Sequence, residues 1–292
     1  MLAVTGATGK VGAAVARTLL SMGQAVRVVA RNPTKGKSWT KRNCEVAIAS
    51  TTDADTLASA FAGVEGVFVM LPPLFDPSPG FPEAREMVAA LQGALLRANP
   101  AKVIVLSTIG ANTPQPNLLN QLGLMEKAFA DLSMPVCFLR PAWFMENAAG
   151  DVPSAAKSGM IHSYLVPLDK PFPMVSTEDV GRVAAELLLE SWNGHRVVEL
   201  EGPERVSAND LANAFAKALR RPVEARVVLA QDWEALFSQQ GMINPLPRMQ
   251  MLDGFNNGWL DFEGDEALRR HGAIGIDDAI AALISPRQGD SK

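Results

Sequence analysis

The sequence predicts an α/β fold, a doubly wound parallel sheet with a smaller, mostly helical C-terminal part. Three observations support this. Short apolar runs alternate with longer helical patterns through the first half of the chain. Those runs are continuous rather than alternating, as in strands buried on both faces. A glycine at every third position, Gly6, Gly9 and Gly12, separates the first run from the first helical pattern.

Taken in order, LAVT (residues 2–5) is the first strand, and VGAAVARTLLSM follows as a helix with Val11, Val15 and Leu19 on one face. Gly23 is placed to end that helix. AVRVVA (25–30) is the second strand, and the stretch from Arg27 to Arg42 holds six basic residues and no acid. EVAIA, GVFVML, KVIVLS and PVCFLRP are further strands, separated by the helical patterns ADTLASAFAG, EAREMVAALQGALLRAN and NQLGLMEKAFADL. After Pro141 glycines and prolines break the rhythm. STEDVGRVAAELLLE then restores a helix with Ser176 or Thr177 at its start, and RVVEL a strand. SANDLANAFAKAL opens on a Ser207 cap, EARVVL reads as a strand and DWEALFSQQG as a helix. The expected division is a doubly wound α/β unit over residues 1–150, with 176–201 returning to it, and a smaller unit over 151–292.

Composition narrows the classes. The chain has 292 residues, 48% hydrophobic and 20% charged, which excludes a disordered or fibrous protein. Lys and Arg total 27 against 31 Asp and Glu, a net charge of −4, so no global attraction to nucleic acid or anionic membrane is expected. Cys44 and Cys137 lie far apart without metal or redox spacing. No basic leader and no membrane-length apolar stretch is apparent, so the expected location is the cytoplasm.

The glycine loop carries the functional signal. A helix N-terminus presents unpaired N–H groups and partial positive charge, and glycines let a diphosphate approach closely. The spacing here is G-x-x-G-x-x-G, between a strand and a helix and followed by a second strand, the context a Rossmann dinucleotide site requires. At the end of that second strand an NAD enzyme commonly presents an acid to the ribose 2′-hydroxyl, whereas this chain presents Arg31, with Asn32 and Lys35 close by. A guanidinium there pairs with a 2′-phosphate, so NADP(H) is expected over NAD(H).

The strings TGATGKVG (5–12), LSTIGAN (106–112), MEKAFADLSMPVCFLRPAWFMEN (125–147) and VSTEDVGRVAAELL (175–188) resemble the NmrA-like family of atypical short-chain dehydrogenases/reductases. That resemblance implies a Rossmann domain with a smaller substrate domain. It also implies either NADPH-dependent reduction of quinones, dyes or phenolic ethers, or a non-catalytic redox-sensing regulator that binds NADP(H) and a protein partner. By the same resemblance Gly6, Ala7, Thr8, Gly9, Lys10, Val11 and Gly12 form the diphosphate loop, and Arg31 and Asn32 the 2′-phosphate contacts. Leu71, Pro72 and Pro73 in MLPP lie beside the cofactor ribose, and Ser50 stands where an adenine-contacting aspartate is common. Ser107, Thr108 and Pro141 continue the cofactor pocket, with Trp143 and Phe144 on the nicotinamide and substrate side.

Catalysis departs from the classical superfamily pattern, a Tyr with a Lys four residues later that passes a proton to the substrate oxygen. Aligned through Glu126, those positions are Leu118 and Leu122, which cannot move protons. The single tyrosine, Tyr164, has Leu168 four residues on. Epimerase and alcohol-dehydrogenase chemistry is therefore disfavoured, while quinone reduction, whose oxyanion the ring itself stabilises, asks less of the protein. Trp143 to Tyr164, with Phe237, Met242, Met249, Met251 and Phe255, supplies groups suited to an aromatic acceptor or to core packing. His162 and Tyr164 are the available proton-donor candidates. Glu146 and Asn147 are functional or cap the helix that follows. His162, His195 and His271 are widely separated, so no metal is expected, and the absence of G-x-S-x-G argues against a hydrolase.

Overall fold

The computed structural model describes residues 1–285. The first elements are β1 (Leu2–Thr5), α1 (Lys10–Ser21), β2 (Val26–Ala30), α2 (Pro33–Thr40), β3 (Glu45–Ile48), α3 (Ala54–Phe61), β4 (Gly66–Val69) and α4 (Pro82–Ala98). Next come β5 (Lys102–Leu106), α5 (Asn120–Phe129), β6 (Val136–Pro141), β7 (Trp143–Phe144), α6 (Val152–Ser158), β8 (Met160–Ser163), β9 (Met174–Val175) and α7 (Thr177–Leu189). The chain continues through β10 (His195–Glu201), α8 (Ala208–Leu219), β11 (Glu224–Val227), α9 (Trp233–Gln239), α10 (Leu246–Asn257), β12 (Arg270–His271) and α11 (Ile276–Ile284).

Eight strands form one parallel sheet in the order β12-β10-β6-β5-β4-β1-β2-β3. The reversal of strand order falls between β1 and β4, where open α/β sheets bind ligands beyond their strand C-termini. The strand cores alternate between two apolar layers. Val4, Val28, Phe68, Ile104 and Leu139 pack against α1 and α7, and Ala3, Val67, Val103 and Val105 against α3, α4 and α5. The continuous apolar runs in the sequence follow from this double burial.

Helix α1 packs on α7 nearly backbone to backbone: a Cβ on Gly181 would lie 2.2 Å from Ala14 Cβ and 2.8 Å from Val15 N. Ser176 caps α7 by accepting the Asp179 amide at 3.0 Å. A third apolar cluster, centred on Phe215, Trp233, Phe237, Phe255 and Ile280, holds the C-terminal elements together. β10 adds to β6, and β12 adds in turn to β10, so residues 270–271 near the C-terminus also lie in the large sheet.

Asp179 locks that return. It is 2% exposed, and its Oδ2 accepts the Ala273 and Ile274 amides at 3.0 and 2.9 Å. Burial alone would raise its carboxyl, but those amides, Arg182 and Ser176 outweigh burial and hold it below the usual range. A depressed native pKa stabilises the fold above the unfolded value of about 3.9, and that contribution is lost as pH falls through the lower native value. Protection of the Ala273 and Ile274 amides from hydrogen exchange, relative to their intrinsic rates at each pH, is therefore expected to fall below about pH 4 before that of the β1–β5 strands.

Candidate functional site

The glycine turn connects the buried end of β1 to α1. Gly6 has φ +68°, a left-handed conformation that favours glycine, and its carbonyl accepts the Gly9 amide at 2.9 Å. Gly12 is required by packing: a Cβ there would lie 2.4 Å from both Gly6 C and Gly6 O and 2.7 Å from Ala7 N. Gly9 differs, because a Cβ would meet only Gly6 O, at 3.4 Å, and its φ of −107° suits any residue. Among the described residues nothing demands a glycine at position 9. The N-terminus of α1 has no side-chain cap and no acid in its first turn, so its amides are left for an outside acceptor. The turn thus fits a diphosphate, and the Cα side of Gly9 is open.

Side chains distant in sequence brace this turn. Trp39, on α2 and 6% exposed, donates its indole N–H to the Ala7 carbonyl at 3.2 Å. Met70 donates its backbone amide to Thr5 Oγ1 at 3.1 Å, placing the 70–73 segment beside the loop. Leu71 is buried, Pro72 half-buried and Pro73 exposed. Thr8 and Lys10 are exposed, and Lys10 Nζ donates to the Glu146 carbonyl at 3.3 Å. Trp39 left no periodic signal in the sequence, because its role depends on where α2 crosses the loop.

Arg31 follows β2 and is exposed, as are Asn32 and Lys35. Asn32 caps α2 by accepting the Thr34 amide at 2.8 Å, leaving its side-chain NH2 available. Arg31 makes no ion pair among the described residues, unlike Arg27, which is bound bidentately to Glu45 at 2.8 and 3.2 Å. Arg27, one of the six basic residues read along this stretch, is thus committed to the sheet edge. Ser50 lies past β3, exposed, its hydroxyl 3.1 Å from Thr52 Oγ1.

At the ends of β5 and β6 a buried polar network stands beside Pro141. The Ser107 hydroxyl donates to Glu126, and Arg140 donates to both Glu126 oxygens at 2.9 and 2.6 Å and to Asn112 Oδ1 at 3.0 Å. Burial alone would lower the Arg140 guanidinium, but the Glu126 carboxylate more than reverses this and raises it. Thr108 is half-buried, and Pro141 accepts the Ile109 amide at 2.9 Å. Leu118 is buried and Leu122 packs against the α4–α5 layer, so neither position offers a proton donor.

Glu146 requires a correction. It does not cap the helix that follows it; both its oxygens accept the Thr177 amide, at 2.9 and 3.0 Å, at the start of α7. The carboxylate thereby ties the segment after Phe144 to the nucleotide-side helices. Trp143 and Phe144 are half-buried, and the Trp143 ring meets Phe255 edge-on at 5.3 Å. Tyr164 stacks on Phe237 at 5.3 Å between centroids. Phe237, Met251 and Phe255 are core residues, while Met242 and Met249 are half-buried. His162 is exposed on β8, and its imidazole makes no hydrogen bond among the described residues. Cys44 and Cys137 are both free and buried, and burial pushes the Cys137 thiol up to about 11. No acidic, histidine or cysteine cluster able to hold a metal occurs among the described residues, and no described helix is long and apolar enough to cross a membrane.

A parallel doubly wound sheet with a glycine turn at its switch point defines the class, a Rossmann-type nucleotide-binding fold. Within that class residues 1–266 match the NmrA-like family, and the chain belongs to it. It is 26% identical over 251 residues to quinone oxidoreductase 2 of Escherichia coli, covering 85% of each chain. It is 24% identical over 244 residues to the NAD(P)H azoreductase of Xenophilus azovorans, covering 83% of this chain and 82% of that one. Among solved structures, the NADPH-dependent quinone oxidoreductase of Escherichia coli in complex with NADPH superposes with a TM-score of 0.80 at 23% identity, over 97% of this chain and 99% of the other. The triphenylmethane reductase of Citrobacter sp. superposes with a TM-score of 0.80 at 19% identity and the same coverage.

Proposed function

We propose that this protein is an NADPH-dependent reductase that delivers hydride to quinone-like or other aromatic acceptors. The observation that carries the reading is the cradle at Gly9, which the fold does not need but a diphosphate does, with unpaired Arg31 at the end of β2. Relatives over more than four-fifths of the chain are named as reductases of quinones and azo compounds, which supports the acceptor class.

In this reading the amides of the glycine turn and of the first turn of α1 hold the diphosphate, and Arg31 pairs with the 2′-phosphate, assisted by Asn32 and Lys35. The 70–73 segment, Ser107, Thr108 and Pro141 line the remainder, and Trp143, Phe144 and Tyr164 face the acceptor. Bound NADPH supplies the hydride. The chain contributes position and exclusion of water rather than a proton relay, because Leu118 and Leu122 are apolar where that relay would stand. Solvent protonates the reduced ring oxygen.

The test is NADPH and NADH consumption by the purified protein against a panel of quinones and azo dyes. Saturable turnover with NADPH preferred supports the reading. Tight NADPH binding without turnover on any acceptor overturns it in favour of a redox-sensing regulator. Arg31→Glu is expected to raise the KM for NADPH by about 30-fold or more while changing that for NADH several-fold at most, since it removes a charge-assisted pair and adds repulsion. Equal losses for both cofactors would remove Arg31 from the 2′-phosphate role.

A further inference from the structure

Among the described residues Arg248 is a cation that makes no ion pair with a carboxylate. It lies in the first turn of α10, where the helix dipole disfavours positive charge. That turn carries no acid, and Pro245 before it provides no side-chain cap. The guanidinium lies 4.5 Å from the centroid of the Phe237 ring and 6.0 Å from that of Phe75. Its one side-chain hydrogen bond among the described residues is to the Met242 sulfur, at 3.7 Å. Burial pushes it down from its ordinary value, and no carboxylate opposes that effect. Asp76, the acid on the neighbouring loop, instead accepts the amides of Ile243 and Asn244 at 2.9 and 2.7 Å.

Its position relates this cation to the acceptor side. Arg248 and Phe255 are seven residues apart and share a face of α10, separated by about 10 Å along the helix axis. Phe255 meets Trp143, while Phe75 follows the 71–73 segment by two residues. The Leu118 amide donates to the Pro247 carbonyl at 2.8 Å, fixing the start of α10 against the approach to α5. One face of α10 therefore runs from Phe255, against Trp143, to a guanidinium beside the Phe237 ring.

We infer that Arg248 receives an anionic oxygen group, such as a sulfonate, carboxylate or phosphate, carried by the aromatic acceptor. The preferred acceptors are thus anionic, with ring and charge separated by about the two turns of helix between Phe255 and Arg248. The Phe237 ring, 4.5 Å from the guanidinium, gives its planar face a partner that a lysine would not match. The inference takes its acceptor class from the reductase reading, but its binding test does not need turnover.

The test is calorimetric titration of the full-length protein, with and without NADP⁺, using naphthalene sulfonate and the neutral naphthalene sulfonamide of the same shape. Wild type is expected to bind the sulfonate about tenfold or more tightly than the sulfonamide, with a preference that shrinks as salt rises. In Arg248→Gln that ratio is expected to fall to about one, and Arg248→Lys to keep part of it. Equal binding of the two ligands by wild type, binding of neither, or a preference unchanged in Arg248→Gln overturns the inference. A wild-type ratio near one overturns the inference whatever the stability of the variants, and Arg248→Lys separates loss of the site from loss of the fold. A parallel assay compares kcat/KM for a naphthoquinone sulfonate and its unsubstituted parent. Absence of turnover on both would count against the reductase reading alone, and the titration would still decide the role of Arg248.

Discussion

Gly12→Ala is expected to cost both the fold and the cofactor, whereas Gly9→Ala should cost the cofactor alone. At position 12 the new methyl falls 2.4 Å from the Gly6 carbonyl group and 2.7 Å from the Ala7 nitrogen. These are backbone atoms held by the end of β1 and by Trp39, so the loop cannot yield as a flexible side chain would. Overpacking of this kind costs about 1–3 kcal/mol or more. For a chain of this size each kcal/mol lowers Tm by roughly 2–4 °C. NADPH affinity should fall by about 100-fold, because displacing the loop misaligns the amides at the start of α1. At position 9 the methyl meets only Gly6 O, at 3.4 Å, so Tm should stay within about 2 °C. Affinity should still fall by about tenfold or more, since the methyl fills the approach proposed for the diphosphate. Thermal melts with and without NADPH separate the two, and equal melting losses would show that Gly9 serves packing after all.

Arg140→Met is the second large effect. The Arg140–Glu126 pair is bidentate at 2.6 and 2.9 Å, and both side chains are 11% exposed. Among the described residues, removing the guanidinium leaves Glu126 with the Ser107 hydroxyl as its side-chain partner, and Asn112 Oδ1 loses its donor. Breaking one side of a buried pair costs about 3–5 kcal/mol, chiefly through the charge left behind. The double change Arg140→Met with Glu126→Leu should recover much of that loss, because no uncompensated charge remains. Urea unfolding of wild type, both single variants and the double variant closes the cycle. A single-variant cost under about 1 kcal/mol would show that solvent reaches Glu126 and that the network is not a structural anchor at the proposed cofactor pocket.

Much of the architecture was legible because it is written in short intervals. The period of Val11, Val15 and Leu19, the Gly23 stop and the Ser207 cap each concern residues within a turn or two of one another. In the structure α1 ends at Ser21 with Gly23 at φ +74°, and Ser207 forms a full capping box with Asp210. The two-residue β7, β9 and β12 carry too little pattern to read, and the four-residue β8 lies in the stretch after Pro141 where glycines and prolines break the rhythm. Helices α10 and α11 also escaped, α10 because its apolar residues show almost no one-sided arrangement.

The site divides in the same way. The places of Gly6, Gly9, Gly12 and Arg31 in the fold could be read from the sequence because a strand–turn–helix and the end of the next strand fix them by local rules. Glu146 could not, since it caps a helix starting 31 residues later, and Asp179 receives an amide 95 residues away. The same holds for Trp39 on the Ala7 carbonyl and for Arg248 between Phe75 and Phe237. By itself the sequence determined the alternating elements, the phosphate-type turn and the missing Tyr/Lys pair, because hydrophobic period and backbone sterics act over a few residues. Only the tertiary structure decided which glycine is held by packing and which has open space beside it, and which charges are paired. Those properties depend on what the crossovers bring within a few ångströms, and chain separation carries no record of it.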